Sequence, residues 1–265
     1  MALEERRIFI FGTGNMSWAL AKSLVDAGLR VDGIYGRNIL AAQELSQKLD
    51  IAHCENIHDA SLARDIVILA VKDDALSLLD ESLRLPGRIV LHTSGSVEMD
   101  AISHISDQIG VFYPMERVIK FKDPDLKSVP LCIEANSPTL LVEINGLASK
   151  ISSQVFSITS EQRKKLHLAA VFVSNFSTYM LSIGSDLVSK YNLPEGILDS
   201  LVATTLDGLT TQNASERQTG PAKRGDIKVV WNHIHQLEKD QPELAEMYKL
   251  ISLGILKRYN LDSEL

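Results

Sequence analysis

The chain has 265 residues, enough for one large domain or two modest ones with a sizeable buried core. Its 27 lysines and arginines are outweighed by 34 acidic residues, a formal charge of −7, which leaves no broad cationic face for a nucleic-acid backbone. The two cysteines, Cys54 and Cys132, sit in separate apolar segments without metal-ligand spacing, so buried thiols in a reducing compartment are expected, with no metal site and no disulfide.

The amino terminus mixes Glu4, Glu5, Arg6 and Arg7 before a short apolar strand, unlike a secretory signal, and the longest apolar runs fall short of a membrane span. A cytoplasmic protein with no membrane partner is the expectation. The first strand, Arg7 to Phe11, then enters the turn Gly12-Thr13-Gly14-Asn15-Met16-Ser17 and a helical stretch from Trp18 to Ala27. This order suits a dinucleotide. Gly12 permits the tight turn, Gly14 lets the backbone approach a pyrophosphate, and the helix N-terminus offers free N–H groups to its charge. Ser17 stands where a third glycine is usual, and it is small enough to keep helix and strand close.

The second strand runs from Val31 to Gly36 and ends on Arg37 and Asn38, about 20 residues beyond the turn, where an NAD site would carry an acid for the ribose hydroxyls. A guanidinium there pairs with a 2′-phosphate instead, so NADP is the expected cofactor. Asn38 also suits the cap of a helix from Ile39 to Leu49. Short apolar runs then alternate with helical patterns: Asp65 to Val71, Arg88 to His92, Ile109 to Tyr113, Leu131 to Glu134 and Gln154 to Ile158. Ser137-Pro138 opens a helix through Ile151. From Ser160 onward the pattern is purely helical, over Glu161 to Lys190, Pro194 to Thr211, Ile227 to Leu237 and Pro242 to Tyr259. The fold class expected is α/β, a Rossmann-type mostly parallel sheet with helices on both faces, followed by an all-α domain. The boundary falls near Thr159, giving a cofactor domain over 1–159 and a helical substrate and dimerisation domain over 160–265.

Gly12-Thr13-Gly14-Asn15-Met16, Arg37 and the strand Ile68-Leu69-Ala70-Val71-Lys72 make the first half resemble the amino-terminal domain of pyrroline-5-carboxylate reductases and deazaflavin-dependent NADP reductases. With His92-Thr93-Ser94-Gly95 and the segment Gly220 to Asp226, nearly the whole chain resembles a group of NADP oxidoreductases whose carboxy-terminal helical domain has no known function. That domain is similar in kind to the carboxy-terminal part of 6-phosphogluconate dehydrogenases. The resemblance implies an NADP-dependent oxidoreductase, a hydride partner that is a small imine, a carbonyl compound or a deazaflavin, and a place for Val71 and Lys72 along the cofactor. The long helix is apolar around most of its circumference, through Leu166, Ala169, Val173, Phe176 and Met180, and must be covered. In the resembling reductases a second subunit covers part of it, which implies a homodimer through the helical domain; a helix buried within one subunit would give the same pattern.

Ligands of open parallel sheets lie beyond the carboxyl ends of the strands. His92 and Ser94 therefore rank as candidate catalytic groups facing the nicotinamide, and Tyr113 as a substrate-binding group. Ser94 equally suits the cap of a helix near Val97. His167, Ser174 and Asn175 lie seven to eight residues apart near one helical face, where a histidine can give up a proton and an asparagine can orient a carbonyl or imine. Lys223 and Arg224, just before a helix that Asp226 is placed to cap, are candidates for an anionic substrate group. Binding of NADP by a sensor or scaffold without hydride transfer is the alternative reading of these residues.

Overall fold

The computed structural model describes residues 3–56, 65–76, 79, 83–211 and 213–261. The chain divides into two compact units, Met1–Thr178 and Tyr179–Leu265. The first contains one sheet of eight strands in the order β3-β2-β1-β4-β5-β6-β7-β8. These are β1 (Ile8–Phe11), β2 (Val31–Tyr35), β3 (Ala52–Cys54), β4 (Ile66–Leu69), β5 (Ile89–His92), β6 (Gln108–Pro114), β7 (Leu131–Ala135) and β8 (Val155–Ser157). Strands β1 to β6 pair in parallel, β7 runs antiparallel to β6, and β8 is parallel to β7. The order 3-2-1-4-5-6 is that of a doubly wound dinucleotide fold, whose ligand crevice lies where the order reverses, between β1 and β4.

Strand side chains point to opposite faces in turn, and the sequence supplies an apolar residue for each. Ile8, Ile10, Ile66 and Ile68 enter a core completed by Leu20 and Leu24 of helix α1 (Asn15–Asp26) and by Leu140, Ile144 and Leu147 of a later helix. Phe9, Phe11, Val67 and Leu69 enter the core of the other face with Leu76, Ile102 and Ile105. Burying each such side chain contributes about 1.5 to 3 kcal/mol. Strand β3 is not among the sequence expectations, because its three residues are half-buried or exposed and carry no apolar run.

Helices α2 (Ile39–Leu49), α3 (Asp73–Leu76) and α4 (Pro138–Ile151) follow β2, β4 and β7. Asn38 caps α2 by accepting from the Ala41 N–H at 3.1 Å, and Ser137 caps α4 by accepting from the Leu140 N–H at 3.2 Å. Helix α5 (Ser160–Ala170) opens on a reciprocal capping box between Thr159 and Gln162. Its buried Arg163 pairs with Glu134 of β7, and Glu134 also accepts from the Ser160 N–H and hydroxyl at 2.8 Å each. Helix α5 is thereby pinned to the sheet. A π-helical segment follows over Val171–Phe176, and then α6 (Ser177–Lys190). The change to a helical pattern near Thr159 matches the end of β8, while the first compact unit continues to Thr178.

Helices α7 (Asp199–Thr211), α8 (Ala214–Arg217), α9 (Pro221–Arg224), α10 (Ile227–Glu238) and α11 (Pro242–Arg258) complete the second unit. Val230, Ile234 and Leu237 recur at helical spacing on α10 and pack with Ala222, Ala245 and Leu256. Ser160–Lys190 is the one described helix long and apolar enough to cross a membrane, by length and composition only, with a window of mean hydropathy 1.4. This departs from the expectation drawn from apolar runs, because Ser174, Asn175, Ser177 and Thr178 interrupt the run without ending the helix. In the single chain its apolar residues are uncovered: Phe172, Val173 and Tyr179 are all exposed.

Candidate functional site

The carboxyl ends of β1 and β2 form one rim of the site. Gly12 takes φ +125°, and a Cβ there would lie 2.0 Å from the Ala70 carbonyl oxygen at the end of β4, so only glycine allows the turn to close against that strand. Ser17 contributes to the same junction, its hydroxyl donating to the Ala70 carbonyl at 3.1 Å, which accounts for a serine where glycine is usual. Gly14 is exposed, with nothing within 4 Å of where its Cβ would lie, and no side chain caps α1. The first-turn amides of α1 are left for a ligand.

Thr13 packs so closely on Gly36 that a Cβ on the glycine would lie 2.4 Å from the threonine methyl. The turn and the end of β2 are thus locked together, and Arg37 and Asn38 follow on the rim, both exposed. Arg37 has no hydrogen bond or ion pair among the described residues, and Asn38 spends only its carbonyl oxygen on the cap. Free amides at a helix start beside an unpaired guanidinium, around an open glycine, fit a dinucleotide with a 2′-phosphate. Asn15 donates through Nδ2 to the Val118 carbonyl at 2.9 Å, and Met16 is half-buried. Val71 and Lys72 leave β4 on the same rim, Lys72 exposed and its ammonium without a partner among the described residues.

In the loop after β5 both candidate side chains are buried. His92 is fully buried, accepts from the Ser94 N–H at Nδ1 at 3.2 Å and therefore carries its proton on Nε2. Burial, with the Arg163 guanidinium adding to it, lowers its pKa from 6.5 to about 4. Ser94 is buried too, its hydroxyl accepting from the Ser96 and Val97 N–H groups at 3.1 and 3.0 Å. Neither side chain lines the cleft described below. They shape the loop that carries Gly95.

The buried neutral His92 has a consequence for stability. Above pH 6.5 it is neutral whether folded or unfolded, and its contribution is fully present. As pH falls toward about 4 the unfolded chain takes up a proton that the folded chain refuses, costing up to about 3 kcal/mol of stability. Denaturation midpoints measured across that window are expected to fall more steeply for the native chain than for His92→Asn. Equal slopes would contradict the assignment.

Gly95 brings the chemistry together. A Cβ on it would lie 2.6 Å from Nδ1 of His167 and 2.9 Å from Cζ of Tyr113, so the loop backbone touches both rings. The Tyr113 hydroxyl and His167 Nδ1 are 3.0 Å apart, with the rings edge-on at 6.1 Å. Burial raises the Tyr113 pKa above its usual value, so the phenol stays protonated near neutral pH and can give or accept the shared hydrogen. Its hydroxyl also lies 3.8 Å from Met115 Sδ, a weak acceptor for the phenol proton when the imidazole donates from Nδ1.

Tyr113, His167, Ser174 and Asn175 line one cleft of about 560 Å³ together with Arg117 and Thr178. The sequence spacing thus does bring His167, Ser174 and Asn175 to one surface, across a π-helical segment that helical periodicity gave no means to foresee. Such segments recur at functional sites because they re-aim side chains. Arg117 is the residue that sequence reasoning missed. It stands past the end of β6, beyond Tyr113, the candidate that the sequence offered there.

In the second unit, Lys223 lies over the Tyr259 ring at 3.2 Å and Arg224 pairs with Asp226 at 2.8 Å. Asp226 starts α10 without a side-chain cap bond, because its carboxylate faces Arg224. Each cation already has a partner in its own unit. Among the described residues no group of histidine, cysteine, aspartate or glutamate could hold a metal ion, and Cys54 and Cys132 form no disulfide with one another.

Comparison with known proteins accords with this geometry. Residues 7–95 match the family described as NADP oxidoreductase, coenzyme F420-dependent, and residues 129–255 match a domain of unknown function, DUF2520. No curated protein matches the chain. A Bacteroides fragilis structure provisionally described as an NADP oxidoreductase is 34% identical over 97% of this chain and 100% of its own, with a TM-score of 0.89. At the level of fold alone, the chain is similar to a 1-pyrroline-5-carboxylate reductase of Streptococcus pyogenes (14% identity, TM-score 0.63, 96% of this chain and 98% of that one). It is likewise similar in fold to an imine reductase of Myxococcus stipitatus in complex with NADP+ (16% identity, TM-score 0.63, 96% of this chain and 99% of that one). With its glycine turn, its unpaired Arg37 and a full-length relative of this kind, the chain belongs to the NADP oxidoreductase family in which that domain precedes the domain of unknown function.

Proposed function

We propose that the protein is an NADPH-dependent reductase of a small carbonyl or imine compound, working in the cleft that Tyr113 and His167 share. The observation that carries this is the Tyr113–His167 pair itself, a proton-bearing couple held against Gly95 and open to a cleft in the same compact unit as the dinucleotide turn. Gly12 to Met16 would hold the pyrophosphate, Arg37 and Asn38 the adenosine end with its 2′-phosphate, and Val71 and Lys72 the stretch between. NADPH, when bound, supplies a hydride to the substrate carbon.

The chain must supply the proton. As the C=O or C=N bond gains the hydride, negative charge grows on oxygen or nitrogen, and His167 gives it a proton from Nε2. Throughout, the Nδ1–H stays donated to the Tyr113 oxygen and the phenol proton turns toward Met115 Sδ, so no second rearrangement is needed. Asn175, on the same cleft, presents an amide that fixes the direction of the bond being reduced. His92 and Ser94 act through the loop they build under Gly95. NADPH consumption in the presence of short keto acids, cyclic imines and aldehydes tests the reading. Turnover of one class is expected; tight NADPH binding with no turnover on any of them would identify a sensor instead.

The reading extends to a homodimer in the cytoplasm, supported by exposed apolar residues of Ser160–Lys190, by exposed Leu201 and Leu206 on α7, and by two cysteines that form no disulfide with one another. A sedimentation mass of two chains is expected. A monomer, or a requirement for detergent, would contradict it.

A further inference from the structure

The cleft holds a cation to which the reductase reading gives no role. Arg117 donates through Nη1 to the Thr178 hydroxyl at 3.0 Å, and that hydroxyl donates to the Ser174 carbonyl of the π-helical segment at 2.8 Å. Among the described residues the guanidinium has no carboxylate partner. The neighbouring Glu116 carboxylate, which also lines the cleft, instead accepts the Arg117 backbone N–H at 2.8 Å. Four of the five guanidinium N–H donors are therefore left for a ligand.

The loop that presents Arg117 is fastened to α1. Asn15 donates to the Val118 carbonyl and Trp18 Nε1 to the Lys122 carbonyl, both at 2.9 Å, and Phe121, held at φ +64°, stacks edge-on against Trp18 with ring centres 5.2 Å apart. A non-glycine residue kept in the left-handed region shows that the surrounding contacts dictate the loop's path. Ala170, Val171 and Val173 give the same cleft an apolar wall. One end thus offers a planar fork of donors, which matches the two oxygens of a carboxylate, and the rest suits a short hydrocarbon body.

We propose that Arg117 selects substrates carrying a carboxylate beside the reducible C=O or C=N bond. The identity of the reacting bond rests on the reductase reading; the anion site does not. Two measurements separate them. In the first, NADPH oxidation is followed with short 2-oxo acids and cyclic imino acids, each set against its methyl ester. Native protein is expected to prefer the acids, and Arg117→Gln to lose about 10- to 150-fold in kcat/KM for them, through KM, with the esters unaffected. Arg117→Lys, which keeps the charge but not the fork, should fall between.

In the second, short 2-hydroxy acids and their amides are titrated into the chain loaded with NADP+. The acids are expected to bind, and Arg117→Gln to weaken them by the same factor. Equal turnover of acids and esters by the native protein, acid binding unchanged in Arg117→Gln, or no binding of any hydroxy acid would each overturn the proposal. Acid binding that depends on Arg117 without reduction of any compound would support the anion site and remove the reductase reading. Unchanged melting of both variants excludes misfolding as the cause.

Discussion

Replacing His167 with asparagine is expected to lower kcat for NADPH-driven reduction by about 100- to 10,000-fold, the range for removing a positioned acid. The NADPH dissociation constant and the melting temperature should stay near native values. The geometry explains the separation. Among the described residues His167, half-buried on helix α5, belongs to none of the buried hydrophobic clusters and makes one side-chain hydrogen bond, to the Tyr113 hydroxyl. Losing that bond costs about 0.5 to 1.5 kcal/mol of stability, small beside the effect on the reaction. The dinucleotide turn lies at the end of β1, while His167 meets Tyr113 and the loop at Gly95. A variant whose kcat loss came with an equal loss of NADPH affinity, or with early melting, would show a structural role. Tyr113→Phe offers the graded companion, keeping the ring against Gly95 while removing the hydroxyl that holds Nδ1.

Arg37→Ala is expected to weaken NADPH binding about 10- to 150-fold while leaving NADH binding unchanged, the loss of one charge-assisted contact worth about 1.5 to 3 kcal/mol. The guanidinium is exposed and has no protein partner among the described residues, so its removal leaves no buried group unsatisfied. Thr13 packed on Gly36 fixes the place from which it reaches, and that contact is untouched by the substitution. Equal weakening of both coenzymes would mean that the residue acts on the adenine or ribose, or on the path of the loop.

Local chemistry made much of this legible in the sequence. The glycine turn, the Asn38 and Ser137 caps and the apolar strands each obey a rule confined to a few neighbouring residues, and seven of the eight strands follow from them, β3 being the exception. The cleft of Tyr113 and His167 obeys no such rule. Tyr113 and His167 are 54 residues apart and meet because Arg163 pins α5 to Glu134 of β7, a contact that no pattern in either segment announces. His92 shows the reverse case: its place after a strand marks it as a candidate, while the side chain is fully buried and does not line the cleft. Arg117 was hidden because its meaning lies in the partner it lacks and in the loop anchored by Asn15 and Trp18.

Titration calorimetry of the native chain and of Arg37→Ala with NADPH and NADH tests the central claim, that a phosphorylated dinucleotide lies across the turn at Gly12 to Asn15 with its 2′-phosphate on Arg37. Saturable heat from NADPH, tighter than from NADH in the native chain and converging with it in the variant, is the predicted result. No heat from either coenzyme would contradict the account.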